Sequence, residues 1–273
     1  MNISYKYYIQ TLRAFSVLIV IFYHLNFELF SKGYLGVDIF FVISGYVISQ
    51  RIYKDYLLYG KILIKDFFIR RLKRIFPVLI FIITFIFFIF LIFGPLDLVS
   101  NAFKASFFSI FGVSNIYFLL QKKDYFDTVF DDPLAHTWSL GIEEQFYLIY
   151  PVLIYGLFRI LKENREKKIS LIFFIISILL IFLTFYLSDD IPNLVFYFPL
   201  FRFWEFLAGC SLFFIKIEND KKNSLFSLLF FVLILTVLFT NMPIPYLSNN
   251  LFIVIFSSLL IYFYNKSALI DFI

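Results

Sequence analysis

The chain has 273 residues, of which 62% are hydrophobic and 23% aromatic, and its mean hydropathy is +0.88. Soluble domains are only about half apolar, so this composition excludes a protein whose whole surface faces water. The net charge of +5 does not indicate a nucleic-acid partner, because the basic residues lie in short runs between apolar stretches, where membrane topology uses them. The composition predicts an integral membrane protein.

Nine apolar segments follow one another along the chain. They lack the strict alternation of barrel strands, and most approach the roughly 20 residues that a helix needs to cross a bilayer. We expect an all-α, polytopic transmembrane helix bundle that forms one domain over residues 1–273. The segments are 9–29, 34–50, 76–93, 103–120, 136–158, 170–187, 195–215, 225–240 and 250–264.

Two basic loops set the orientation. The stretch 51–74 carries eight Lys or Arg against two Asp, and 159–168 carries five against two acidic residues. The positive-inside rule places both loops and the N-terminus in the cytoplasm, as expected of a multi-pass protein of the cell (inner) membrane. Three segments lie between these loops, and an odd number of crossings cannot join two cytoplasmic points. One of the three therefore does not span.

The weakest of the three is segment 103–120. Hydrocarbon tolerates its polar groups only where protein or a watery cavity covers them. We predict a re-entrant or surface-lying segment here, with the acidic loop 121–135 outside, which leaves eight full spans. The polar residues of the segment are Lys104, Ser106, Ser109, Gly112, Ser114 and Asn115.

Ionisable side chains inside apolar segments are functional candidates, since each costs about 2.5–3.5 kcal/mol at a helix centre. Structural alternatives exist: Arg202 and Glu205 are spaced for an intrahelical pair, and either glutamate of the fifth segment could bond a neighbouring side chain. With about 1.5 Å of rise per residue, ionisable residues of four different spans fall at a similar depth below the outer ends of their helices. Those four are His24, Asp38, Glu143 and Arg202, and the remaining ones are Arg13, Glu144 and Glu205.

The first segment combines Arg13 and His24, eleven residues apart, which places them on one helical face about 16 Å apart along the axis. This spacing suits a long ligand with a cationic anchor at one end and a proton-accepting imidazole at the other. Alternatively, Arg13 only helps to orient the helix in the membrane, and His24 is a structural residue that forms a hydrogen bond.

A basic strip, defined as Arg70, Arg71, Lys73 and Arg74, follows the second segment. Such a strip either contacts anionic lipids or binds the phosphates of a nucleotide-bearing donor, and the sequence favours neither interpretation.

Five stretches carry a resemblance to a known family. They are YIQTLRAFSVLIVIFYH (8–24), GYLGVDIFFVISGYVIS (33–49), FFIRRLKRIFP (67–77), HTWSLGIEEQFYLIYP (136–151) and RFWEFLAG (202–209). Together they resemble acyltransferase family 3, the membrane-bound O-acyltransferases that include O-acetylases of lipopolysaccharide and exopolysaccharide. The family's Arg-(ten residues)-His motif falls on Arg13 and His24, of which the His is regarded as essential. Its other motifs fall on Arg70, Arg71, Arg74, Asp38, Trp138, Ser139, Glu143 and Glu144.

The resemblance implies transfer of an acyl group, commonly acetyl, from acyl-CoA to a carbohydrate or glycolipid hydroxyl, with no bound cofactor, no metal and no nucleic acid. We expect His24 to act as general base, oriented by Asp38 or by one of the catalytic candidates Glu143 and Glu144. The expected donor-binding residues are Arg13, Arg70, Arg71 and Arg74. The expected acceptor-binding residues are His136, Trp138, Ser139, Arg202 and Glu205.

Two other functions remain as alternatives, one of which follows from the expected truncation. Family members continue into two further helices, whereas this chain stops at Ile273, so we expect a truncated domain. An inactive membrane scaffold is one alternative. The other is a proton-coupled transporter, since intramembrane His, Asp and Glu also relay protons. The missing inverted repeat and the lack of paired broken helices count against transport.

Overall fold

A computed structural model describes residues 7–93, 96–121, 132–215, 224–240 and 245–263. These residues form helices and their connections, with no strand among them, which confirms the all-α class for this part of the chain. The helices are α1 Tyr7–His24, α2 Gly36–Tyr59, α3 Ile64–Phe93, α4 Leu96–Ile110, α5 Ser114–Leu120, α6 Thr137–Ile160, α7 Arg165–Leu187, α8 Pro192–Tyr197, α9 Phe203–Phe214, α10 Ser224–Phe239 and α11 Tyr246–Phe263.

Three helices in the described ranges are long and apolar enough to cross a membrane: α3, α7 and α2 together with the 3-10 turn before it. Four shorter apolar helices of 10–17 residues accompany them, within α1, α9, α10 and α11. This helix content identifies a membrane protein, and the count of eight crossings stays a prediction. Helix α6 has 24 residues and is long enough to cross a membrane. It is not among the three, because Glu143, Glu144 and Gln145 lower its hydropathy.

The segment predicted not to span is interrupted. Helix α4 ends at Ile110 and α5 begins at Ser114. Between them Gly112 has a φ of +67°, a left-handed conformation that glycine adopts without a Cβ clash. Ser114 and Asn115 are buried directly after this break. Ser106 and Ser109 are buried as well, whereas Lys104 is exposed. Protein therefore covers four of the polar side chains of the segment, and whether the segment crosses the membrane stays a prediction.

Segment 195–215 is not the single helix that hydropathy predicted. Helix α8 ends at Tyr197, a 3-10 turn covers Pro199–Phe201, and α9 begins at Phe203. Pro199 explains the break, because proline disfavours helical backbone at the residue before it, and Phe198 accordingly has extended angles of −81° and 129°.

The two interrupted segments meet. Asn115, just after the first break, donates a hydrogen bond of 3.0 Å to the backbone carbonyl of Tyr197, just before the second. Neither interruption was apparent from the hydropathy of the sequence. Short helices separated by a glycine turn and a proline turn are hard to distinguish from one continuous helix by hydropathy alone.

The helices form two compact units. The first unit is built from described residues within Met1–Lys54, Leu161–Leu179 and Trp204–Ile273, and the second from those within Asp55–Ile160 and Leu180–Phe203. In the first unit α2 packs on α9, with the rings of Phe41 and Phe206 stacked at a centroid distance of 4.4 Å. In the second unit α6 packs on α5 and lies close to α8, with Trp138 and Phe196 4.6 Å apart.

Candidate active site

A buried carboxylate pair lies in the first unit. Asp38 and Glu205 are 1% and 0% exposed, and the side-chain amide of Asn250 lies between them. The Asn250 Nδ2 donates to Asp38 Oδ1 at 2.7 Å and to Glu205 Oε1 at 3.4 Å. The structure thus joins a predicted catalytic residue and a predicted acceptor-binding residue through an asparagine that the sequence analysis missed.

Both carboxylates lie at the start of a helix. Asp38 lies in the first turn of α2 and Glu205 in the first turn of α9. The positive end of the helix dipole stabilises an anion in the first turn by about 0.3–1 kcal/mol.

One feature of the sequence could have indicated Asn250 as a functional candidate. Two consecutive asparagines, Asn249 and Asn250, begin an otherwise apolar segment.

His24 and Arg13 both lie on α1 in the first unit. His24 is the last residue of the helix and is half-buried, with its ring edge-on to that of Tyr23 at 5.3 Å. Tyr23 in turn contacts the ring of Tyr34 at 5.5 Å. His24 therefore ends α1 beside two tyrosines of the first unit, the unit that also contains Asp38.

The guanidinium of Arg13 lies over the ring of Phe40, with its carbon 5.1 Å from the centroid. The attraction between this cation and the ring of Phe40, which lies on α2, fixes the direction in which the Arg13 side chain points. This contact lies within the first unit and gives Arg13 a defined position on the same helix as His24.

An ionic cluster in the second unit joins α3 to α6. Arg71 Nη2 lies 3.0 Å from Glu143 Oε1, and Arg71 Nε lies 3.4 Å from Glu144 Oε1. The guanidinium also covers the ring of Tyr147, whose hydroxyl donates to Glu143 Oε1 at 2.6 Å. Removing one member of a buried ion pair costs about 3–5 kcal/mol, so this cluster fixes α3 against α6.

The basic strip divides into two kinds of residue. Arg70 forms an ion pair with the buried Asp55, while Arg71 forms the cluster just described. Lys73 and Arg74 are exposed. The structure therefore places two of the predicted donor-binding arginines in contacts within the chain.

Four of the five predicted acceptor-binding residues lie at or near the start of α6, and the fifth, Glu205, lies in the first unit with Asp38 and Asn250. Trp138 is buried, and Arg202, only 3% exposed, places its guanidinium carbon 5.7 Å from the Trp138 centroid and equally far from that of Phe196. His136 is exposed, and its backbone carbonyl accepts a hydrogen bond from the Ser139 hydroxyl at 3.1 Å. Arg202 lies at the break before α9, where a charged side chain has room to turn toward aromatic rings.

A seam of hydrogen bonds ties the first break to α6. The Gln145 amide donates to the Gly112 carbonyl at 2.8 Å and to Asn115 Oδ1 at 2.7 Å. The Ser114 hydroxyl donates to the Thr137 carbonyl at 2.7 Å. From the sequence, Ser114 and Asn115 were recognisable only as polar residues, because their partners lie on other helices.

Apolar helices that enclose ion pairs and bridged carboxylates define a membrane protein with a polar interior, the class that contains intramembrane enzymes and transporters. Among the described residues no group of three or more His, Cys, Asp or Glu side chains gathers as a metal site. The model of the family described as "Acyltransferase domain", acyltransferase family 3, matches residues 6–271. The chain belongs to this family.

Curated relatives support the same family. The chain is 39% identical over 204 residues to "O-acetyltransferase OatA" of Staphylococcus aureus (strain NCTC 8325 / PS 47), covering 75% of this chain and 34% of the relative. It is 36% identical over 244 residues to "Putative O-acetyltransferase SACOL0978" of S. aureus (strain COL), covering 84% of this chain and 40% of the relative. The chain thus spans well under half the length of these relatives. No solved structure matches it.

Proposed function

We propose that the protein is an O-acyltransferase that moves an acetyl group from acetyl-CoA to a hydroxyl of a cell-surface carbohydrate or glycolipid. The observation that carries this proposal is the family match over residues 6–271. The resemblance assigns His24, Asp38 and Glu143 to the family's motifs, and Asp38 and Glu143 are buried. Relatives named as O-acetyltransferases support acetyl as the transferred group.

In the proposed reaction His24 takes the proton of the acceptor hydroxyl as its oxygen attacks the thioester carbonyl. A carbon–oxygen bond forms, the carbon–sulfur bond breaks, and the proton passes from His24 to the departing thiolate. The products are the acetyl ester and free coenzyme A. A positioned general base of this kind contributes about 10²- to 10⁴-fold in rate.

The donor enters from the cytoplasmic side in this proposal, since the basic loops mark that face. The exposed Lys73 and Arg74 of the second unit bind its phosphates, which carry the negative charge that arginine and lysine recognise. The inner membrane and a cytoplasmic N-terminus are part of the same proposal.

The acceptor side is formed by Trp138 and Arg202 in the second unit. An aromatic face suits the apolar face of a sugar ring, and a buried guanidinium stabilises negative charge that develops during transfer. In the first unit Asp38, bridged to Glu205 by Asn250, is the carboxylate proposed to orient His24.

The experiment is a transfer assay in proteoliposomes. Acetyl-CoA is supplied on the basic-loop side with glycan fragments from the host's own envelope, and free thiol and acetylated glycan are measured. Equimolar formation of both products is the expected result. Thiol release without acetylated glycan, or no release at all, contradicts the proposal.

One observation keeps proton-coupled transport as a second candidate. The breaks after α4 and after α8 meet at Asn115 and Tyr197, and paired broken helices are typical of transporter sites. A pH-sensitive dye trapped in the same proteoliposomes distinguishes the two functions. A substrate-dependent proton flux without ester formation would favour transport.

A further inference from the structure

Arg71 is the member of the basic strip that protein encloses. Its side chain is 13% exposed, against 40% for Arg70. Tyr147 covers one face of the guanidinium at 4.0 Å, and Glu143 and Glu144 lie within ion-pair distance of its nitrogens. A donor phosphate would have to displace a carboxylate from a charge-assisted contact to reach Arg71.

The two consecutive glutamates are held differently. Glu143 Oε1 has two donors, Arg71 Nη2 at 3.0 Å and the Tyr147 hydroxyl at 2.6 Å. Glu144 Oε1 is buried and lies 3.4 Å from Arg71 Nε, an ionic contact without a hydrogen bond. Two strong donors fix the Glu143 carboxylate, while Glu144 keeps an acceptor oxygen available to a reacting group.

We propose that Arg71 is a positioning residue for acyl transfer and not a ligand of the donor's phosphates. It anchors α6 through Glu143 and aims Glu144, which accepts a hydrogen bond from the reacting groups. Donor phosphates then bind the exposed Lys73 and Arg74 of the strip. This inference rests on the proposed function, since it assigns roles within the same reaction.

Steady-state kinetics with acetyl-CoA separate the two roles. Arg71→Gln should lower kcat by about 10- to 100-fold, the usual effect of misplacing a catalytic group by about 1 Å, with KM for acetyl-CoA changed by less than about twofold. Arg74→Gln should show the reverse pattern, a raised KM and a nearly unchanged kcat. Arg159→Gln is the matched control, because Arg159 also lies over a tyrosine of α6, Tyr155, at 5.2 Å but has no proposed role.

A milder variant covers the case in which Arg71→Gln fails to fold. Tyr147→Phe keeps the ring under the guanidinium and removes only the hydroxyl that donates to Glu143. It should lower kcat by about fivefold, the equivalent of one ordinary hydrogen bond, and leave KM for acetyl-CoA unchanged. Glu144→Gln should lose more kcat than Tyr147→Phe, and Arg71→Lys should recover part of the activity that Arg71→Gln loses.

A raised KM with unchanged kcat in Arg71→Gln overturns the inference and returns Arg71 to the donor site. A wild-type protein that neither releases thiol nor acetylates glycan overturns the proposed function instead. Direct titration with acetyl-CoA still decides the role of Arg71 in that case. An unchanged Kd in Arg71→Gln supports the positioning role, and a tenfold weaker Kd excludes it.

Discussion

Buried charge in this protein occurs in small sets in which carboxylates face a donor from another helix. Asp38 and Glu205 share the amide of Asn250, and Glu143 receives both Arg71 and Tyr147. Such contacts offset the cost of removing charges from water. Each set therefore has a structural role in addition to the chemical role proposed for it.

Replacement of His24 tests the base directly. His24→Ala should reduce acetyl transfer by about 10²- to 10⁴-fold, the contribution of a general base, while acetyl-CoA binding stays close to that of the wild type. His136→Ala is the control and should cost less, because His136 is exposed and water can replace it. Equal losses in the two variants, measured as acetylated glycan per minute, would remove His24 from the mechanism.

Replacement of Asn250 tests the bridge between the carboxylates. Asn250→Leu leaves two buried carboxylates without that donor, which should lower the free energy of unfolding by about 1–3 kcal/mol and reduce transfer. Ser257→Ala on the same helix removes a hydroxyl that only bonds the Val254 carbonyl at 3.1 Å, and should have a smaller effect. Thermal unfolding in detergent measures both. Indistinguishable midpoints would show that the amide bridge is dispensable.

At the scale of elements, the crossing of α2 and α9 depends on two glycines. A Cβ added to Gly45 would lie 1.9 Å from the Phe206 carbonyl oxygen, and one added to Gly209 would lie 1.9 Å from that of Val42. Both obstacles are backbone atoms, which cannot rotate away. Small residues of this kind let membrane helices approach closely.

We expect Gly209→Ala to separate the two helices and to cost about 1–3 kcal/mol of stability, the usual effect of overpacking. Gly156→Ala in α6 is the matched control, because its added methyl group meets no atom within 4 Å. Alanine should be neutral or stabilising there, since it is the better helix former. Denaturant titration of the two variants gives the comparison, and equal stabilities would contradict the close crossing.

The interrupted pair α4 and α5 carries the topology prediction. If residues 103–120 do not cross the membrane, the acidic loop after α5 lies outside the cell. A cysteine at position 127, which falls outside the described residues, should then react with an impermeant thiol reagent added outside. The native Cys210 is fully buried and gives little background. Labelling from the cytoplasmic side alone would reverse the assignment.

At the scale of the whole molecule, donor binding should stabilise the fold. At a concentration 100 times its Kd, acetyl-CoA should add about 2.7 kcal/mol to the free energy of unfolding. Arg74→Gln should reduce this gain without lowering the stability of the unliganded protein, because Arg74 is exposed. Replacing Arg70, Arg71 and Arg74 together should also weaken donor binding, but that variant loses three internal ion pairs as well.

A ligand-induced shift in thermal midpoint, recorded with and without acetyl-CoA, checks this prediction. Coenzyme A without the acetyl group should produce much of the same shift, since the phosphates make the proposed contacts. An equal shift in the wild type and in Arg74→Gln would mean that the donor binds elsewhere.

The sequence by itself determined the membrane class, the all-helical architecture, the family and the positions of its motif residues. Hydropathy and short motifs are properties of neighbouring residues, so they can be read before the chain folds. The sequence also indicated that 103–120 is unlike the other segments, because its polar residues lie close together. It did not show the break at Pro199 within a segment of high hydropathy.

Only the tertiary structure decided which polar groups meet. Asn250 is 212 residues from Asp38 in the chain, and Arg71 and Glu143 lie on separate helices, α3 and α6. Contacts at such separations depend on how helices pack and rotate about their axes, which no local pattern specifies. The basic strip shows the same dependence. Its four charged residues lie on one helix, and only contacts with Asp55 and with α6 distinguish Arg70 and Arg71 from the exposed Lys73 and Arg74.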